Sequence, residues 1–119
     1  MTDKLLIVLS HGTDNPNKST RALHLAKVAK ENGKDVKIFL LDDGVFIAKK
    51  GVTDNLRSAT GDIAADLMTF LEDFEVPIYA CTPCAKARDL KESDFVKNAK
   101  MEPGTTLIKM TSDHAVISL

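Results

Sequence analysis

The chain contains no tryptophan, one tyrosine and five phenylalanines. A base-stacking platform for nucleic acid is therefore not expected. Charge of one sign is equally scarce. Sixteen Lys and Arg against seventeen Asp and Glu leave a formal net charge of −1, too weak a field to recruit nucleic acid or an anionic membrane. Long hydrophobic runs are missing too. The longest unbroken aliphatic run is Leu5–Leu9, far short of the ~20 apolar residues of a bilayer span. No small-residue cleavage site follows it, so it is expected to be a first strand rather than a signal peptide. Cysteine is limited to two residues. With no export signal they point to a reducing cytoplasm, where a close pair more often serves chemistry or metal binding than stapling.

What is present is ordinary for a globular chain: 119 residues, 44% hydrophobic and 28% charged. One domain over residues 1–119 is the default at this length. Apolar runs alternate with helical patterns along it. "KLLIVLS", Lys4 to Ser10, is continuous rather than alternating, as in parallel strands covered on both faces. Asn15 and Pro16 read as the cap and first turn of a helix, whose stripe is Ala22, Leu25, Ala26 and Ala29 and whose end is Gly33. Val36 to Leu41 reads as a second strand, and "VFIAKKG" as a short helix ending at Gly51. "VTDNLRSATG" reads as a loop. A helix from about Asp62 to Phe74 follows, capped by Thr60, with Ile63, Leu67, Phe70, Leu71 and Phe74 on its apolar face. "VPIYAC" is a third strand and Thr82 to about Leu90 the next helix. A short strand near Lys97–Met101, a helix in "PGTTLIKM" and a last strand in "HAVISL" close the chain.

This alternation predicts an α/β fold: a three-layer α/β/α sandwich around a mainly parallel sheet of about five strands. Right-handed crossovers then bring every strand's C-terminal end to one edge, where such folds bind ligands. That edge collects Ser10, His11 and Gly12, then Asp42, Asp43 and Gly44, then Cys81.

Both cysteines lie in "CTPC". Cys81 is expected where a strand ends and a helix begins, with Thr82 opening that helix. The helix dipole, Lys86 and Arg88 would all favour thiolate there. Cys84 falls in the helix body among alanines and reads more readily as packing. A Cys-x-x-Cys at a helix start can also meet disulfide geometry. Metal is disfavoured, because a structural zinc site needs four ligands and the chain offers one pair and three scattered histidines. No cofactor is called for. His11 is a candidate proton shuttle or anion donor at the mouth of the site. Asp42 and Asp43 fit either partner binding or helix capping. Three functions stay open from the residues: a sulfur carrier using Cys81, a small-ligand or protein-binding module using His11, Asp42 and Asp43, and a Cys81–Cys84 dithiol redox protein.

The opening "LLIVLSHGTDNPNKSTRALHLAKVAKENGKDVKIFLLDDGVFIAKKG", the strand "PIYAC", "AKARDL" and the closing "HAVISL" together resemble the DsrE/DsrF-like family, which includes sulfur-relay subunits of the TusD type. The resemblance covers nearly the whole chain. It implies a compact α/β/α domain assembled into homo-oligomers, trimers or hexamers. It also implies a persulfide on the cysteine ending the third strand, the position of Cys81, fed by a donor protein and drained by an acceptor. Relay members follow that cysteine with an Arg-Gly pair; here Arg88 is followed by Asp89. They lack a counterpart of Cys84, which implies a stand-alone branch. A Cys84 thiol could resolve a Cys81 persulfide, releasing sulfide and leaving a disulfide.

Overall fold

The computed structural model describes residues 2–119. Five strands form one sheet: β1 (Lys4–Leu9), β2 (Asp35–Leu40), β3 (Ile78–Cys81), β4 (Ala99–Glu102) and β5 (Ala115–Ser118), in the order β4-β3-β2-β1-β5. Every pairing is parallel. The α/β expectation and the five-strand sheet therefore hold.

The centre of the sheet explains its aliphatic runs. Ile7, Ile38 and Ile78 are in register across β1, β2 and β3, and so are Leu9, Leu40 and Ala80. All six are fully buried. Alternate residues point to the opposite face. There Val8, Phe39 and Tyr79 form the matching row. Both faces are covered at this level, which suits continuous apolar runs; lower on the face of Phe39, Lys37 is the polar exception.

The helices between successive strands are α1 (Pro16–Glu31), α2 (Ala64–Asp73), α3 (Thr82–Ala87) and α4 (Gly104–Met110). Asn15 caps α1 as expected, its Oδ1 accepting the Lys18 N–H at 3.1 Å. Gly33 takes φ +78° just past the helix, a conformation that glycine adopts without penalty. The buried stripe of α1 includes Leu23, whereas Leu25 is only half-buried.

Three local expectations need correction. The segment expected as a helix ending at Gly51 is a 3-10 helix over Asp42–Ala48, with a second 3-10 turn at Val52–Asn55 inside the expected loop. Val45, Ile47 and Ala48 are buried in the chain's own core, which accounts for the apolarity of this stretch. Helix α2 starts at Ala64, two residues after Asp62, and Thr60 does not cap it. Thr60 bonds instead within a cluster, its hydroxyl 2.6 Å from that of Ser58 and donating to Asp62 at 3.1 Å. The buried face of α2 is Ala64, Leu67, Met68 and Leu71, while Ile63 and Phe74 are 42% and 54% exposed. Phe74 lies past the last helical turn, beside Phe70 with ring centroids 4.5 Å apart.

Right-handed crossovers carry α1 and α2 over one face as the chain steps from β1 to β2 to β3. The chain then returns from β4 at one edge to β5 at the other, so α4 crosses the opposite face. His114 anchors that return. Its Nδ1 lies 2.8 Å from the Met110 carbonyl and its Nε2 3.3 Å from Lys37 Nζ. The His114 Nδ1 also lies 2.8 Å from Asp113 Oδ1. No residue of α4 is buried, and Ile108 is 67% exposed.

Candidate functional site

The C-terminal ends of the strands gather the candidate residues along one edge, as the parallel topology requires. Two loops interlock there. A Cβ on Gly44 would lie 2.3 Å from the Leu9 carbonyl oxygen, and one on Gly12 would lie 2.4 Å from that of Asp43. Only glycine lets these backbones pass so closely. Gly44→Ala should therefore cost about 1–3 kcal/mol, the range for overpacking a rigid environment. Urea unfolding checks this, and an unchanged midpoint would contradict the close approach.

The predicted residues differ in what holds them. His11 turns to its own loop: Nδ1 lies 2.7 Å from Asp14 Oδ2, while Asp14 Oδ1 accepts the Gly12 N–H at 2.7 Å. The His11 hydrogen bond, aided by that of Gly12, holds the Asp14 carboxyl below its ordinary value. Asp43 pairs with Arg88, whose Nε donates to Oδ1 at 3.0 Å. The same guanidinium donates through Nη1 to the Cys84 carbonyl at 3.1 Å. Arg88 thus ties the start of the 3-10 helix to α3. Asp42, in the left-handed region at φ +50°, lies close enough for its charge to act on Cys81. Thr82 opens α3 and is half-buried. Lys86 is exposed and makes no ion pair among the described residues.

Cys81 is the last residue of β3 and is 6% exposed. Cys84, one turn into α3, is half-buried, and both thiols are free. The expected push toward thiolate at Cys81 is reversed. Burial pushes its thiol above the ordinary value, and the neighbouring Cys84 thiol and the Asp42 carboxylate add to the rise. The Cys84 N–H opposes this without forming a full capping hydrogen bond. Helix α3 has only six residues, ending at Ala87 rather than near Leu90, so its dipole is small. The two cations do not compensate, since Arg88 is engaged by Asp43 and Lys86 faces solvent.

The raised thiol has two pH consequences. Stability from the buried neutral thiol is fully present below the unfolded value near 9.0 and is lost as pH climbs through the higher folded value. In a Cys84→Ser variant, alkylation at Cys81 should rise about tenfold per pH unit below its pKa, and should still be rising at pH 9.0. A plateau reached before that pH would contradict the dominance of burial.

Sequence reasoning missed two neighbours. Asp14 is the residue that engages His11. Glu102 is in register with Cys81 on the adjacent strand, and its carboxylate accepts from Thr106 Oγ1 at 3.0 Å. The Asp three residues after His11 was a readable signal; the half-polar strand carrying Glu102 offered none. Among the described residues, no group of three or more His, Cys, Asp or Glu is arranged to hold a metal ion. No helix there is long and apolar enough to cross a membrane.

The sequence profile of the DsrE/DsrF-like family matches residues 3–119. The chain belongs to this family. Among similar proteins is an uncharacterized protein of Methanopyrus kandleri, 32% identical over 105 residues, covering 83% of this chain and 78% of that one. An uncharacterized protein of Methanocaldococcus jannaschii is 29% identical over 110 residues, covering 92% and 93%. Of solved structures, the YchN protein from E. coli superposes with a TM-score of 0.80 at 17% identity, over the full length of both chains. A protein of unknown function from Methanobacterium thermoautotrophicum gives a TM-score of 0.63 at 15% identity over 98% of each chain. At these identities the two structures bear on the fold alone. Within the DsrE/DsrF-like frame, the end of β3 is where this chain puts its paired thiols.

Proposed function

We propose that this protein is a sulfur carrier in which Cys81 holds a persulfide and Cys84 resolves it. The observation that carries the reading is the pair itself: two free thiols, adjacent at the C-terminal end of the third strand. Family membership adds weight, because the resemblance gives this strand end the sulfur-bearing cysteine. Burial suits storage, since a persulfide out of bulk water is protected from stray thiols. Resolution is a simple displacement. The Cys84 thiolate attacks Sγ of Cys81–S–SH, a Cys81–Cys84 disulfide forms, and the outer sulfur leaves as hydrosulfide. An external dithiol then reduces the disulfide.

The test is incubation of the full chain with a cysteine desulfurase and isotope-labelled cysteine, followed by intact mass measurement and sulfide determination. Transfer of labelled sulfur, ending in labelled sulfide and a disulfide, is expected. Protein that neither gains label nor releases sulfide would overturn the reading. The dithiol redox alternative shares the adjacency of the thiols but predicts disulfide formation with ordinary oxidants and no sulfur uptake. The ligand-binding alternative is less well served, because His11 and Asp43 are already engaged by Asp14 and Arg88. The homo-oligomer implied by the resemblance belongs to the proposal too, and the exposed Ile108 and Val116 offer it an apolar surface.

A further inference from the structure

We infer that sulfur arrives first at Cys84 and is handed inward to Cys81, so that Cys84 is the accepting thiol as well as the resolving one. This rests on the sulfur-carrier reading and adds an order of events to it. Three observations carry it. Cys81 ends a central strand and is 6% exposed, while Cys84 lies one turn further on and is half-buried. A donor cysteine must bring its outer sulfur into line with the attacking sulfur, which requires an open approach. Pro83 just before Cys84 and Lys86 two residues after it are exposed, although Ala85 between them is buried, whereas Cys81 is followed by the half-buried Thr82 and is paired in the sheet with the β4 residue Glu102. Arg88 fixes the turn that presents Cys84 by donating to its carbonyl at 3.1 Å while held by Asp43.

The steps balance. The Cys84 thiolate attacks the outer sulfur of a donor persulfide, R–S–SH. The donor leaves as its thiolate and Cys84–S–SH forms. The Cys81 thiolate then attacks the outer sulfur of Cys84–S–SH, giving Cys81–S–SH and regenerating the Cys84 thiolate. No oxidant or reductant is consumed in either transfer. The regenerated thiolate is then poised for the resolving step described above. Burial, which raises the affinity of Cys81 for its proton, keeps less of that thiol in the attacking thiolate form and fits the order that exposure sets.

The order is tested by loading wild type, Cys81→Ser and Cys84→Ser with a desulfurase and labelled cysteine. Samples are quenched with an alkylating agent at early times and the label is located by fragmentation between Thr82 and Pro83. Cys81→Ser should load at close to the wild-type rate and hold its label on Cys84. Cys84→Ser should load at least about tenfold more slowly, as expected when the accessible thiol is removed. Equal loading of Cys84→Ser and wild type would overturn the order while leaving the carrier intact. Failure of wild type to load would overturn both. Alkylation of unloaded wild type gives a check independent of the variants' folding: Cys84 should be modified before Cys81, and the reverse would refute the inference.

Discussion

Cys81→Ser is expected to abolish sulfide release from sulfur-loaded protein while leaving the fold in place. Release needs two sulfur atoms, one to be attacked and one to attack. A serine hydroxyl can form neither a persulfide nor a disulfide. Whatever sulfur the variant takes up stays where it arrived. The fall in release should be at least about 100-fold, because a thiol is a few per cent ionised near neutrality and a hydroxyl essentially not at all. The substitution is close to isosteric, so the surrounding packing is kept. It places a hydroxyl at a site only 6% exposed, which should cost about 1–3 kcal/mol. Sulfide release after loading, measured beside the unfolding midpoint of the same sample, separates chemistry from folding. Release at the wild-type rate by a folded Cys81→Ser variant would remove Cys81 from the mechanism.

Phe39→Ala should give the largest loss of stability, about 3–5 kcal/mol, as for other fully buried aromatic residues. Phe39 has no exposed surface and sits mid-sheet, in register with Val8 on one side and Tyr79 on the other. Its ring centroid lies 6.3 Å from that of Tyr79. Truncation would open a cavity over this face of the sheet, and the hydrogen-bonded strands beneath it are held at fixed spacing and cannot shift to fill it. A loss of that size is a large share of the ~5–15 kcal/mol available to a typical domain. Denaturant unfolding gives the value directly. A change below about 1 kcal/mol would mean that this face of the sheet is not close-packed.

Much of the fold was readable because its signals are local. Leu5–Leu9 has no polar residue to turn toward water, so a strand covered on both faces is the economical solution. Asn15, Pro16 and Gly33 mark both ends of α1 through their own backbone preferences. Where such punctuation is missing, the boundaries drifted. Ile63 heads α2 without any side-chain cap, and no residue before it could have announced that. β4 reads Ala-Lys-Met-Glu, half polar because an edge strand is only partly covered.

The alternation of strands and helices, the parallel sheet and the placement of Cys81 at a strand's end were all legible along the chain. These follow from periodicity and chain connectivity, which neighbouring residues carry. The state of the site was not legible there, because it depends on contacts between distant elements. The partners of Cys81 and Arg88 come from other elements: Asp42 and Asp43 after β2, and Glu102 on β4. Only the folded chain brings those atoms within reach, and only it removes water from the Cys81 sulfur. Desolvation outweighs the short helix and its lysine, so the thiol that reads along the sequence as activated is held back in the fold. Cys84, which reads as packing, becomes the more open of the two.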